Sequence, residues 1–204
     1  MSKYKAEDII ERFKHVGSAL YQRGLENSHS GNLSVKVGDR LLITRRGSQL
    51  GFLEESDIVE TGLEKDDSGI ALASSEVGVH RAIYKETNAL AVVHSHQIAA
   101  TALSFIQDEI IPIDVEGGYI LRKIPIVSVK EGSGSKEMEE KIPQALKDYQ
   151  IVMLKGHGAF AIGDHLEEAW HYTETLQNVA NIIFMAKLMG ADVQELEQKD
   201  FDSW

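Results

Sequence analysis

Two short apolar runs that end in histidine constrain this chain more than any other feature. Ala89-Leu90-Ala91-Val92-Val93 leads into His94-Ser95-His96, and Ile151 to Lys155 leads into Gly156-His157-Gly158. An apolar run of this length fits a buried strand, so each histidine is expected where a strand leaves the core. Side chains alternate along a strand, and imidazoles two residues apart therefore fall on one face, within reach of a single ion. The glycines around His157 let a metal or a substrate approach the backbone closely. Each pattern is weak by itself. The chain has eight histidines and no cysteine, so disulfides and thiolate sites are impossible and any zinc falls to imidazole and carboxylate. Three neutral imidazoles suffice for a catalytic Zn²⁺ with one position left open.

The segments between these runs read as alternating helices and strands. From Ala6 to Arg23, Ile9, Ile10, Phe13, Val16, Leu20 and Tyr21 recur at helical spacing, with Gly24 as C-cap. Asn32 to Val37 and Arg40 to Thr44 form a hairpin across Gly38-Asp39. Arg45 to Gly51 is a loop with two glycine pivots. Ser74 and Ser75 precede a helix running to about Asn88, with a serine as N-cap and Glu76 in the first turn, where a carboxylate suits the helix dipole whether or not it has another task. Ala99 to Phe105 is expected as a helix, Ile124 to Val129 as a strand, Lys136 to Tyr149 as a helix interrupted by Pro143, and Leu166 to Met189 as a long helix. The expected fold is α/β: a single three-layer α/β/α domain, residues 1–204, around a mixed, largely antiparallel sheet.

Size and charge narrow the task. A chain of 204 residues with 43% hydrophobic residues holds one substantial core. A net charge of −11 argues against the phosphate backbone of nucleic acid as partner, while local donors still permit a small anionic substrate. The stretch MSKYKAEDIIERFK has no apolar core of signal-peptide length, and no run is long enough to span a membrane, so the expected location is the cytoplasm.

Five strings taken in order carry a resemblance. Ser30-Gly31-Asn32-Leu33-Ser34, Leu42-Ile43-Thr44 with Gly47, Ser74-Ser75-Glu76, Ala91-Val92-Val93-His94-Ser95-His96 and Gly156-His157-Gly158 together resemble the class II aldolase/adducin family, most of all its L-fuculose-1-phosphate aldolase branch. The resemblance runs from the first helix to the last. It implies that His94, His96 and His157 ligate one Zn²⁺ per chain, with Mn²⁺ or Co²⁺ as the alternative metal, and that Glu76 completes the metal shell at rest and acts as acid/base. It also implies a phosphate pocket from Gly31, Asn32, Arg46, Gly47, Ser74 and Ser75, whose free amides and hydroxyls suit an anion. Read alone, Gly31 is equally an ordinary turn residue and the serines ordinary caps. The implied reaction is reversible cleavage of a phosphorylated ketose to dihydroxyacetone phosphate and an aldehyde through a Zn-stabilised enediolate. The implied assembly is a homotetramer with sites between subunits.

The sequence departs from the family pattern in places. Arg45 and Arg46 stand before Gly47 where relatives often carry Pro and Ser or Thr; a guanidinium suits phosphate or carboxylate, and equally a solvated or subunit-bridging place. Ala73 replaces a common proline, and Gln177 stands where a glutamate is usual. No tyrosine follows Ile124-Pro125-Ile126-Val127, where a proton donor is expected; Tyr119 is an upstream substitute or a loop aromatic. A sugar-phosphate epimerase or a methylthioribulose-phosphate dehydratase fits the same scaffold. A non-enzymatic adducin-like interaction domain would have lost the three histidines. A purely structural zinc would take Glu76 as its fourth permanent ligand.

Overall fold

Residues 6–193 are described by the computed structural model. Its first hairpin follows the residue pattern: β1 (Asn32–Val37) and β2 (Arg40–Thr44) pair antiparallel, and Gly38 turns between them at φ +61°. β3 (Ile58–Gly62) extends the hairpin on one side. On the other lies β4 (Ala91–Ser95), every residue of which is buried. β8 (Ala159–Gly163) and β7 (Ile151–Leu154) follow, then β6 (Ile124–Val127) and the two-residue β5 (Glu109–Ile110). The order is β3-β2-β1-β4-β8-β7-β6-β5, and only the β6–β7 pair is parallel.

Two helical layers cover this sheet, each chosen by strand parity. Ala91 and Val93 face a core built with α1 (Ala6–Gln22), α3 (Ile98–Ser104), α4 (Val115–Leu121) and α6 (Leu166–Leu188). Val92 faces the opposite core, with α2 (Val77–Glu86) and α5 (Lys136–Ala145). The domain is therefore the expected α/β/α sandwich around a mixed, largely antiparallel sheet. The expected span of 1–204 reaches past the described residues at both ends.

Several local expectations need correction. Neither Ser74 nor Ser75 caps α2: Glu76 occupies the N-cap position without a side-chain cap bond, and the first turn of the helix carries no acid. The reason is tertiary, because the Glu76 carboxylate is drawn into the sheet's histidines. The helix ends at Glu86, and β6 stops at Val127. Pro143 does not interrupt α5; the helix passes through it and ends two residues later at Ala145. That position is tolerated in the last turn, where few helical bonds remain to be lost.

Four elements had no clear local signal: β3, β5, β8 and α4. α4 contains Gly117-Gly118, a pair that disfavours a helix interior. Packing explains it, since a Cβ on Gly117 would lie 2.3 Å from Val179 Cγ2 of α6. Asp114 caps α4 by accepting from the Gly117 amide at 2.8 Å.

Candidate metal centre and active site

His94 sits one residue before the end of β4, in register with Asn32 of β1 and Phe160 of β8. Its ring is buried and stacks on Phe160 with centroids 4.1 Å apart. His94 Nδ1 donates to the Ala159 carbonyl at 2.9 Å, which fixes the tautomer and leaves Nε2 with a bare lone pair. His96 Nε2 lies 2.9 Å and His157 Nε2 3.2 Å from that same atom. Burial, then the neighbouring His94 and His157, push His96 down to about 3, and burial lowers His94 also. Three ring nitrogens thus crowd one point.

A cation resolves that crowding. Ligand nitrogens about 2.05 Å from a tetrahedral ion stand about 3.3 Å apart, close to the spacing seen here. Among the described residues, His94, His96 and His157 form the one group whose ligand atoms all lie within 4.8 Å of one another. The donor set fits a borderline divalent ion such as Zn²⁺.

The turn carrying His157 is held from several sides. Gly156 takes φ +71°, its amide donates to Ser104 Oγ at 2.9 Å, and Thr101 Oγ1 donates to the His157 carbonyl at 3.3 Å. A Cβ on Gly158 would lie 2.4 Å from the Ser95 carbonyl oxygen and 3.1 Å from His94 Cε1. Glycine there lets the β7–β8 turn close onto the β4 histidines.

Glu76 faces this centre. Its Oε2 is 3.3 Å from His94 Nε2 and accepts from Asn32 Nδ2 at 2.8 Å; its Oε1 is 3.5 Å from His157 Nε2 and accepts from Ser133 Oγ at 2.6 Å. Burial opposes the charge, and the hydrogen bonds from Asn32 and Ser133 favour it and hold the carboxyl below the usual range. Glu76 thus sets a carboxylate beside the imidazole nitrogens of His94 and His157.

The expected anion-binding residues line the same cavity of about 150 Å³. The Thr44–Ser48 loop and the Leu72–Ser75 segment are tied by Arg46 N to Leu72 O at 2.9 Å and Ser74 N to Thr44 O at 3.1 Å. Gly31 and Gly47 both take positive φ, +73° and +74°. Both arginines are exposed, but Arg45 Nε donates to Asp57 Oδ1 at 3.1 Å, whereas Arg46 has no ion-pair partner among the described residues. Ser75 is exposed, and Ser74 Oγ accepts from the Glu76 amide at 3.3 Å. Asn32 lines the cavity with its amide already bonded to Glu76 and His80. Tyr119 is 69% exposed on α4, and no tyrosine lines this cavity among the described residues.

Sequence reasoning missed three residues here. Ser133 reaches Glu76 because Gly134, at φ +71°, packs where a Cβ would lie 2.6 Å from the Ser75 carbonyl; the Gly132-Ser133-Gly134-Ser135 string was its only signal. Glu26, 7% exposed, accepts from Ser30 Oγ at 2.6 Å, and burial pushes its carboxyl up to about 8. His80 is fully buried between Asn32 and Ser34, and burial pushes it down to about 3.

Comparison with known proteins places these features in context. Residues 11–184 match the family described as Class II Aldolase and Adducin N-terminal domain. The L-fuculose phosphate aldolase of Methanocaldococcus jannaschii is 34% identical over 182 residues, 88% of this chain and 97% of that protein. The 3-oxo-tetronate 4-phosphate decarboxylase of Escherichia coli is 28% identical, over 88% of this chain and 87% of its own. The crystal structure of L-fuculose-1-phosphate aldolase from Thermus thermophilus superposes with a TM-score of 0.86 at 34% identity, covering 90% of this chain and 96% of that one.

Proposed function

The chain belongs to the class II aldolase and adducin family, and we propose that it is a Zn²⁺-dependent aldolase that reversibly cleaves a phosphorylated, fuculose-1-phosphate-like ketose to dihydroxyacetone phosphate and an aldehyde. One observation carries the reading: a carboxylate, Glu76, is held against three converging imidazoles at the floor of an anion-suited cavity. An adducin-like interaction domain has no use for that arrangement.

His94, His96 and His157 would hold the metal, with Glu76 as a displaceable fourth ligand. When bound, the ion supplies Lewis-acid stabilisation of the negative charge that develops on substrate oxygens as the carbon–carbon bond breaks. The Gly31 turn, the Arg46-Gly47 loop and Ser74-Ser75 grip the phosphate, and that remote binding positions the reacting carbons. Glu76 would exchange a proton at the carbon that loses its bond. Ser133 and Asn32 donate to its two oxygens and hold the carboxylate in place.

The cavity of about 150 Å³ is smaller than the ~300–1,000 Å³ of ligand-sized pockets. The family resemblance implies a homotetramer, in which a neighbouring copy would wall the site and supply the donor for the aldehyde oxygen. Light scattering is expected to give four times 22.6 kDa; a fully active monomer would refute the assembly. We read residues 1–204 as one domain acting in the cytoplasm. Among the described residues no helix is long and apolar enough to cross a membrane.

A second reading is decarboxylation of a 3-oxo acid phosphate. The likeness to the 3-oxo-tetronate 4-phosphate decarboxylase of Escherichia coli favours it, and Arg46, which lines the cavity, suits a carboxylate. The deciding experiment incubates the metal-loaded protein with dihydroxyacetone phosphate and a panel of aldehydes, and identifies condensation products by mass. In parallel, 3-oxo acid phosphates are assayed for CO₂ release. Condensation products support the aldolase; CO₂ release without condensation supports the decarboxylase.

A further inference from the structure

Behind Glu76 a line of buried polar side chains crosses from the cavity into the interface between α2 and the sheet. Asn32 Nδ2 lies 2.8 Å from Glu76 Oε2, and Asn32 Oδ1 lies 2.5 Å from His80 Nε2. His80 Nδ1 is 2.6 Å from Ser34 Oγ, which is 2.7 Å from the Tyr84 hydroxyl. Asn32 is 6% exposed, Tyr84 2%, and His80 and Ser34 are fully buried.

The direction of every bond follows from one premise. Asn32 Nδ2 donates to Glu76 Oε2, so the Asn32 carbonyl oxygen faces His80. His80 Nε2 must then carry the proton. A neutral imidazole with Nε2–H has a lone pair at Nδ1, so the Ser34 hydroxyl donates to it. That leaves Ser34 Oγ to accept from the Tyr84 hydroxyl. Four donors therefore point one way, from Tyr84 through Ser34, His80 and Asn32 to Glu76, with no internal donor–donor or acceptor–acceptor clash.

We propose that His80 is a positioning residue: locked as the Nε2–H tautomer by Ser34, it fixes the Asn32 amide with NH₂ toward Glu76 and so aims the carboxylate at the metal centre. An unlocked Asn32 amide would be free to turn its oxygen toward the carboxylate, repelling it from its place between His94 and His157. His80 touches neither the ligand nitrogens nor the cavity; it reaches Glu76 through Asn32, and its ring also packs edge-on against Phe160, so metal content is read beside kcat to separate the two routes. The proposal rests on Glu76 being the acid/base, but its first test does not depend on turnover.

That test is a ¹⁵N-histidine long-range correlation spectrum, with His80 assigned by difference from His80→Gln. The expected result is a single Nε2–H tautomer in the wild type and a mixed population in Ser34→Ala, where no hydroxyl faces Nδ1. An Nδ1–H tautomer or a doubly protonated ring in the wild type overturns the proposal. The second readout is kinetic, on whichever substrate the wild-type protein turns over. His80→Phe should lower kcat about 10- to 100-fold, as loss of a supporting hydrogen-bond partner does, with KM and metal content unchanged. His80→Gln, which can still offer an N–H to Asn32, should recover most of kcat. Wild-type kcat in folded His80→Phe, or failure of His80→Gln to recover it, overturns the proposal. A wild type inert toward every substrate refutes the proposed function and leaves the tautomer result to decide the lock.

Discussion

Replacing Glu76 by glutamine separates proton transfer from metal holding, and its effects can be worked from the surroundings of the two oxygens. Oε2 accepts from the Asn32 amide at 2.8 Å, and Oε1 accepts from the Ser133 hydroxyl at 2.6 Å. In Glu76→Gln the amide oxygen must face Asn32, because an NH₂ there would meet another NH₂. The new NH₂ then faces Ser133, whose hydroxyl rotates to accept. Both contacts survive with one reversed, and the loss is that of charge assistance: roughly 1.5–3 kcal/mol for a bond to a charged group falls to roughly 0.5–1.5 kcal/mol for a neutral one. Relief of the burial cost of the carboxylate offsets part of this, so the melting temperature should move little. Three imidazoles remain for the metal, and occupancy by elemental analysis should stay near wild type. Turnover should fall about 10²–10⁴-fold, the usual contribution of a positioned acid/base, or about 2.7–5.5 kcal/mol at about 1.36 kcal/mol per decade. Rates per bound metal on the substrate found by the product screen give the answer. A folded, metal-replete variant at near wild-type rate refutes Glu76 as the proton carrier.

His94→Ala, His96→Ala and His157→Ala should each lower metal content below one per chain, measured after gentle purification and Zn²⁺ reloading; a variant that keeps full affinity shows its residue is not a ligand. Phe160→Ala removes the fully buried ring under His94 and should destabilise the protein by about 3–5 kcal/mol in urea unfolding. Glu26 is protonated in the folded chain up to about 8, against 4.5 for the free group, so the unfolded state releases its proton first. Stability should therefore fall as pH rises from about 4.5 to about 8. Glu26→Gln, neutral throughout and able to keep the Ser30 bond, should flatten that fall and melt higher than wild type above pH 8; parallel melting curves across the range would refute the assignment.

How much of this was legible in the chain differs from element to element. The β1–β2 hairpin and the buried β4 announce themselves, because alternation, a Gly-Asp turn and a run of branched apolar residues are local properties that the backbone obeys wherever the segment lies. Period 2 likewise placed His94 and His96 on one face, and their nitrogens do converge. α4 was hidden because its helix depends on α6: Gly117 is unfavourable in isolation and required against Val179. Glu76 reads locally as a first-turn acid and lies instead at the N-cap, because its partners are 44 and 57 residues away in Asn32 and Ser133. Ser133, Glu26 and His80 carry no motif of their own, and each gains meaning only from what surrounds it. Local pattern specified strands, turns and ligand spacing, since these depend on backbone period and residue type. Which carboxylate meets which imidazole, which amide holds it, and which buried acid keeps its proton depend on contacts between remote segments, and the tertiary structure alone decided them.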